Sequence, residues 1–244
     1  MYRILPILAL TACGLDESVD ADVSPDPSLL RDALDASSPE PYLALVDDLE
    51  TYLPVVEHCP RIVVDGTSEH WEGGCALDEG LRLEGALQLF ETDAETWLAA
   101  DGFTLWDGDR QKLYLDGAIE ITREGDLWFL DVAASSCGGP QGDCLDGPLT
   151  VDLSWTLYPM TGFPEAYDAS VTGVVGDAED APISVEGAWS VDVDTCDSEP
   201  ASGTFSVRQG DLHALELDGA NTCDTCADWT VQGLEVARFC QVEL

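Results

Sequence analysis

The sequence predicts a mainly β protein: a large curled antiparallel meander, ending as a sandwich or a partly open barrel, with two short helices at its N-terminal side. Three observations carry that prediction. A nine-residue strand motif occurs three times, as LRLEGALQL at 81–89, LYLDGAIEI at 113–121 and ISVEGAWSV at 183–191. The hydrophobic period switches from helical to two from Ile62 onward. The links between apolar runs are short and rich in Gly, Asp and Pro, as in Asp107-Gly108-Asp109 and Glu124-Gly125-Asp126, which favours hairpins over crossover helices.

In each motif copy the apolar side chains and the central glycine share one face, while the acid and the alanine share the other. That pattern describes a half-buried strand. Glycine weakens a strand interior, so its recurrence at an inward position predicts a sharp bend or an aromatic ring laid over bare backbone. The copies start at 81, 113 and 183, so they are 32 and 70 residues apart and form an irregular duplication without a fixed repeat. Further strands are expected at 97–106, 127–133, 149–157, 169–175, 204–208, 212–217 and 236–242. A division of the sheet is expected at the Cys137 to Cys144 loop, if anywhere. A twisted sheet of this many strands closes or folds over.

Ahead of the strands, Asp26-Pro27 offers an N-cap followed by proline at the first helical position, with Leu29, Leu30, Ala33 and Leu34 at helical spacing. Ser38-Pro39 repeats the signal, and Tyr42, Leu45, Val46, Leu49 and Leu53 form one stripe that Pro54 stops. The expected role of this 28–54 helical segment is to dock on the core of a β domain spanning 55–244.

The first thirteen residues read differently. Arg3 precedes an apolar run from Ile4 through Leu10, and Leu10-Thr11-Ala12-Cys13 closes it. This resembles the lipobox of bacterial lipoproteins, a processing signal that carries no fold. The resemblance implies that residues 1–12 are a signal peptide and that Cys13 becomes the lipidated (palmitate-bearing) N-terminus. It also implies export to the cell envelope, with Gly14 in place of Asp favouring the outer membrane over the inner. The apolar run is about ten residues, short of the roughly 20 that a spanning helix needs. Residues 13–27, carrying Asp16, Glu17, Asp20, Asp22 and Asp26 along with Pro25 and Pro27, read as an acidic tether.

Setting Cys13 aside leaves Cys59, Cys75, Cys137, Cys144, Cys196, Cys223, Cys226 and Cys240 of the nine cysteines. Eight pair completely, and an oxidising compartment favours four disulfides. Proximity pairs Cys59 with Cys75 and Cys137 with Cys144, and leaves the other four to brace the C-terminal end in an unspecified pairing.

Charge excludes two partner classes. With 49 acidic residues against 9 basic ones, and Lys112 as the sole lysine, the chain offers no cationic footprint for nucleic acid or anionic lipid headgroups. Membrane contact is expected through the lipid on Cys13 alone, and the ligand is expected in the envelope or outside it. The acids are spread along the chain, as on a solvated surface.

No motif commits the chain to a reaction. There is no GxSxG elbow, and His58, His70 and His213 are the only histidines. His58, Cys59, His70 and Cys75 place four zinc-type ligands within eighteen residues, against which stands a plain Cys59 to Cys75 disulfide with incidental histidines. Cys223-Asp-Thr-Cys226 is a CxxC in a run of strands, where bridging is expected over redox work. Asp20-Ala-Asp22 and Asp192-Val-Asp194 lack the glycine and glutamate of an EF-hand, so calcium is left as a loop possibility and no cofactor is expected. The seven tryptophans, Trp71, Trp97, Trp106, Trp128, Trp155, Trp189 and Trp229, suit either a sugar-binding face or sheet packing, with packing favoured.

The leading functional expectation is a lipid-anchored envelope protein with a noncatalytic binding or structural β domain. A carboxylate-based hydrolase or carbohydrate-active enzyme is the first alternative. An envelope lipid carrier with a half-closed barrel is the second. A polar cleft with facing carboxylates marks the enzyme, an apolar cavity under the helices marks the carrier, and a filled core marks the binding domain.

Overall fold

The computed structural model describes residues 27–47, 49, 56, 58–78, 80–138, 144, 148–159, 165–176, 182–196 and 200–240. The signal segment, Cys13, the tether up to Asp26, and the helix stop at Pro54 lie outside them. Two helices, α1 (Pro27–Ser37) and α2 (Glu40–Asp47), form one bent helical unit at the Ser38-Pro39 step. The strands follow in order: β1 (Arg61–Asp65), β2 (Ser68–Glu72), β3 (Cys75–Asp78), β4 (Leu81–Glu91), β5 (Glu95–Asp107), β6 (Arg110–Glu124), β7 (Leu127–Gly138), β8 (Leu149–Pro159), β9 (Ala166–Gly176), β10 (Ile183–Asp192), β11 (Ser202–Gln209), β12 (Asp211–Leu217), β13 (Cys226–Val231) and β14 (Leu234–Cys240).

All fourteen belong to one antiparallel sheet in which sequence neighbours pair, except that β2 and β3 share β4. The sheet runs unbroken through β7 and β8, so it is one layer with no division at the Cys137 to Cys144 loop, and the sandwich alternative gives way. It does not close: β1 and β14 are its two ends. The curl shows in the helices, since α2 touches β5 while α1 touches β9, β10 and β11.

The three motif copies became β4, β6 and β10, and their glycines took both expected routes. Gly85 sits at φ +77 where the β4 to β5 register slips, and a Cβ there would meet the Gly102 carbonyl oxygen at 2.3 Å. It is a bulge that re-aims the strand. Gly187 has ordinary backbone, but the rings of Phe205 and Trp189 lie 3.0 Å from where its Cβ would stand. Here the aromatic cover needs the bare backbone.

Five strands required correction: β1, β2 and β3, which the period of two from Ile62 did not separate into elements, and β13 and β14. β13 went unpredicted because its Ala227, Trp229 and Val231 alternation is short and opens on the CxxC. β14 begins two residues earlier than the expected 236–242, because Gln232 and Gly233 both adopt positive φ, at 52° and 80°, and make a two-residue hairpin turn.

The concave face is filled by the helices. Leu30, Ala33 and Leu34 are 0, 0 and 1% exposed, and Tyr42, Leu43, Leu45, Val46 and Leu49 are buried with them. Trp155 of β8 locks the bend: its Nε1 donates to the Ser37 carbonyl at 2.8 Å, and its ring lies 5.5 Å from that of Tyr42. That carbonyl is one of the groups a helix C-terminus leaves without an internal partner. The Tyr167 hydroxyl of β9 donates to Glu40 at the start of α2.

Leu34→Ala should cost about 2 to 5 kcal/mol of unfolding free energy in urea titration, because the site is fully enclosed and cannot refill. A loss within error of zero would mean the helices are not part of the core. Tyr167 provides a pH test. Burial, then the Glu40 carboxylate, raise its pKa above the ordinary tyrosine value. The folded state therefore keeps a proton that the unfolded chain releases, and the resulting stability is present below about pH 10 and declines above it. Tyr167→Phe should reduce that alkaline decline, measured by urea midpoints on either side of about pH 10.

Candidate binding surfaces

The cysteines form four disulfides: Cys59 with Cys75, Cys137 with Cys144, Cys196 with Cys223, and Cys226 with Cys240. The two proximity pairs stand as expected. The CxxC splits, because Cys223 and Thr225 sit at φ 40° and 59° and turn the chain sharply between the two sulfurs. Cys226 then lands on β13 directly across from Cys240 of β14. Asp224 inside the turn accepts from the Cys226 backbone N–H at 3.2 Å and from Arg238 Nη1 at 2.9 Å. The Arg238 guanidinium holds its carboxyl below the usual carboxylate range. Arg238 also reaches Asp228 at 3.4 Å and Asp218 at 3.9 Å, so one cation gathers three acids at the sheet's last strand.

These bridges bear on the zinc reading. Cys59 and Cys75 consume each other, His58 is exposed in a turn, and His70 is exposed on β2. Among the described residues no three His, Cys, Asp or Glu side chains gather as metal ligands do. His213 lies apart, buried on β12 with its ring 5.8 Å from that of Trp229. Asp192 spends its carboxylate locally, accepting from the Asp194 N–H at 3.2 Å and the Thr195 hydroxyl at 2.8 Å to close the turn after β10. Asp20 and Asp22 lie outside the described residues.

The tryptophans divide by face. Trp71, Trp155, Trp189 and Trp229 are buried on the concave side. Trp106 carries Arg82 over its ring at 4.8 Å, and Trp128 carries Arg123 at 5.1 Å. Trp97 stands across from Phe90 on the convex face.

With the interior occupied by helices, the described concavities open at the surface. The first, about 550 Å³, is a trough over β8 to β11 lined by Ser154, Thr156, Ser170, Thr172, Glu186 and Thr204. Strict register builds it: Ser154 faces Thr172, Thr172 faces Glu186, and Glu186 faces Ser206. Its floor is a grid of hydroxyls around one carboxylate. The second, about 440 Å³, lies on the convex face beside β1 and includes Val63, His70, Ala86 and Ala99. The third, about 500 Å³, lies on the other side of β1 and includes Val64, Glu69, Glu91, Asp93 and Arg123. Arg123 there is held by Thr96 at 2.9 Å and stands 4.0 Å from Asp47. Burial pushes the Asp47 carboxyl up, and Arg123 partly counters that.

None of these three sites was legible from spacing along the chain. The trough joins residues from four strands, and the other two depend on where the sheet happens to end.

Peptide mapping without reduction should recover a Cys196 to Cys223 link and a separate Cys226 to Cys240 link. A Cys223 to Cys226 bridge would contradict the positive-φ turn.

No protein-family model matches the chain, and no curated protein or solved structure matches it either.

Proposed function

We propose that the chain is a lipid-anchored lipoprotein of the bacterial envelope, bound through Cys13 to the outer membrane, whose β domain is a noncatalytic binding module that meets its ligand on its surface. One observation carries the binding-module reading. The place where a carrier would hold an acyl chain, under the helices, is taken by Leu30, Ala33 and Leu34, which have essentially no exposure. The address rests on the lipobox-like segment, and four disulfides suit the oxidising compartment that segment implies.

The enzyme alternative asks for two carboxylates facing each other in a cleft. Among the residues lining the hydroxyl trough, Glu186 is the one carboxylate. Glu120 and Asp131 do face each other, but on exposed positions of β6 and β7, where two like charges across a strand pair repel. The concavity beside Val64 does collect Glu69, Glu91 and Asp93, but it holds the Arg123 guanidinium among them; none of these places favours that alternative over a module that reads a polar ligand by hydrogen bonds.

Two measurements on the native host's protein test the proposal. Cys13→Ala should leave an uncleaved precursor that no longer partitions with membranes, and unchanged partitioning would refute the anchor. Titration with a fluorescent fatty acid should give no saturable signal, and stoichiometric uptake would restore the carrier.

A further inference from the structure

We infer that the hydroxyl trough over β8 to β11 is a binding site for a neutral carbohydrate, which sits on side-chain hydroxyls around Glu186 and reaches the ring of Tyr158. The inference rests on the binding-module reading and names its ligand class.

Glu186 is the outward acid of the third motif copy, and the other two copies show what this acid does when it serves the fold. Glu84 accepts from Arg82 Nε and from Trp106 Nε1, both at 3.2 Å. Asp116 accepts the Gly102 N–H at 3.0 Å, where β5 bulges against β6. Glu186 stands exposed on β10, and its carboxylate has no hydrogen bond or ion pair with any described residue.

The hydroxyls differ in the same way. Ser135 and Thr150 bond each other at 2.9 Å, Thr104 donates to the Gly102 carbonyl at 2.9 Å, and Ser190 donates to Asp168. In the trough, the hydroxyls of Ser154, Thr156, Ser170, Thr172 and Thr204 have no such partner among the described residues. Register sets the lining in two rows: Ser154, Thr172, Glu186 and Ser206 in one, and Thr156, Ser170, Ala188 and Thr204 in the other. Positions in each row repeat every ~4.8 Å across the strands. Ala188, the outward alanine of the motif, is the short member and leaves the floor low over β10.

This chemistry selects the occupant. A hydroxyl is one donor with two acceptor sites, and a carboxylate accepts two hydroxyls at once. A molecule offering many hydroxyls at fixed spacing satisfies both, and that molecule is a sugar. Tyr158 adds the apolar element: it lies two residues beyond Thr156 on the same face of β8 and is 52% exposed. It is the only exposed ring among the described Phe, Tyr and Trp residues. A pyranose lays its C–H face on such a ring while its hydroxyls reach the polar rows. No basic side chain lines the trough, so a carboxylated, sulfated or phosphorylated ligand meets the Glu186 charge with nothing to offset it. The volume, about 550 Å³, is that of a small-molecule site.

The test titrates the full chain, followed by calorimetry and amide NMR. Maltotetraose, cellotetraose and chitotetraose are the neutral probes, and tetragalacturonate and tetralysine are the charged ones. At least one neutral probe should bind saturably and shift amides within 154–158, 170–172, 186–188 and 204–206, while tetragalacturonate should not bind. Glu186→Gln should weaken that binding roughly tenfold, the scale of a hydrogen bond to a charged acceptor. Tyr158→Ala should weaken it several-fold. Both side chains are exposed, so the urea midpoint of each variant should match the parent's. No binding by any neutral probe, equal binding of tetragalacturonate, affinity unchanged in either variant, or shifts confined to other strands would overturn the proposal. Saturable tetralysine binding at the trough would also overturn it and assign Glu186 to a cationic ligand. Fatty-acid uptake is a separate failure, since it removes the module reading itself whatever the sugars do.

Discussion

A meander of fourteen strands in one open layer has one continuous apolar face, and that face has to be covered by something other than a second sheet. In this chain the cover is two short helices, and the contact that fixes them is Trp155 of β8 donating to the Ser37 carbonyl at the helix bend. The bend lets α1 follow β9 to β11 while α2 reaches β5, so the helical unit and the curl define each other. A sheet flatter than this would leave Leu30 and Leu34 without neighbours, and a tighter one would have no room for them. The bulge at Gly85 and the bare backbone at Gly187 are the places where the strands accept that curvature and packing.

The open ends of the sheet are the cost of this solution, and the disulfides stand largely there. Cys59 to Cys75 ties the chain before β1 to β3, while Cys196 to Cys223 and Cys226 to Cys240 brace the approach to β14. Bridges of this kind typically contribute about 2 to 4 kcal/mol each. They oppose two forces that favour opening: fraying of terminal strands, and self-repulsion in a chain with 49 acidic and 9 basic residues. Arg238, surrounded by Asp218, Asp224 and Asp228, pins the last strand in the same sense.

Local physics was legible in the sequence and tertiary consequences were not. Alternation in the three motif copies placed β4, β6 and β10, and Asp26-Pro27 and Ser38-Pro39 placed the helix starts, because those signals act over a few residues. The pairing of Cys59 with Cys75 and Cys137 with Cys144 followed from short separations of 16 and 7 residues. The split of the CxxC was hidden because it depends on positive φ at Cys223 and Thr225, neither of which is glycine. β2 and β3 were hidden in the sequence because each is only four or five residues long, with Gly73 and Gly74 between them, and both pair along β4. The hydroxyl trough and the grooves beside β1 come from cross-strand register, which brings Ser154, Thr172, Glu186 and Ser206 into one row from four separate stretches of chain.

A filled curl with functional surfaces outside it requires the helices to be a permanent part of the core and not a lid over a hidden cavity. Native-state hydrogen exchange separates the two directly. As a permanent core element, the amides of α1 and α2 should open only with the central strands β8 to β10, at the free energy of global unfolding. Helix amides that exchange through a cheaper opening while those strands stay protected would contradict the filled interior and describe a lid instead.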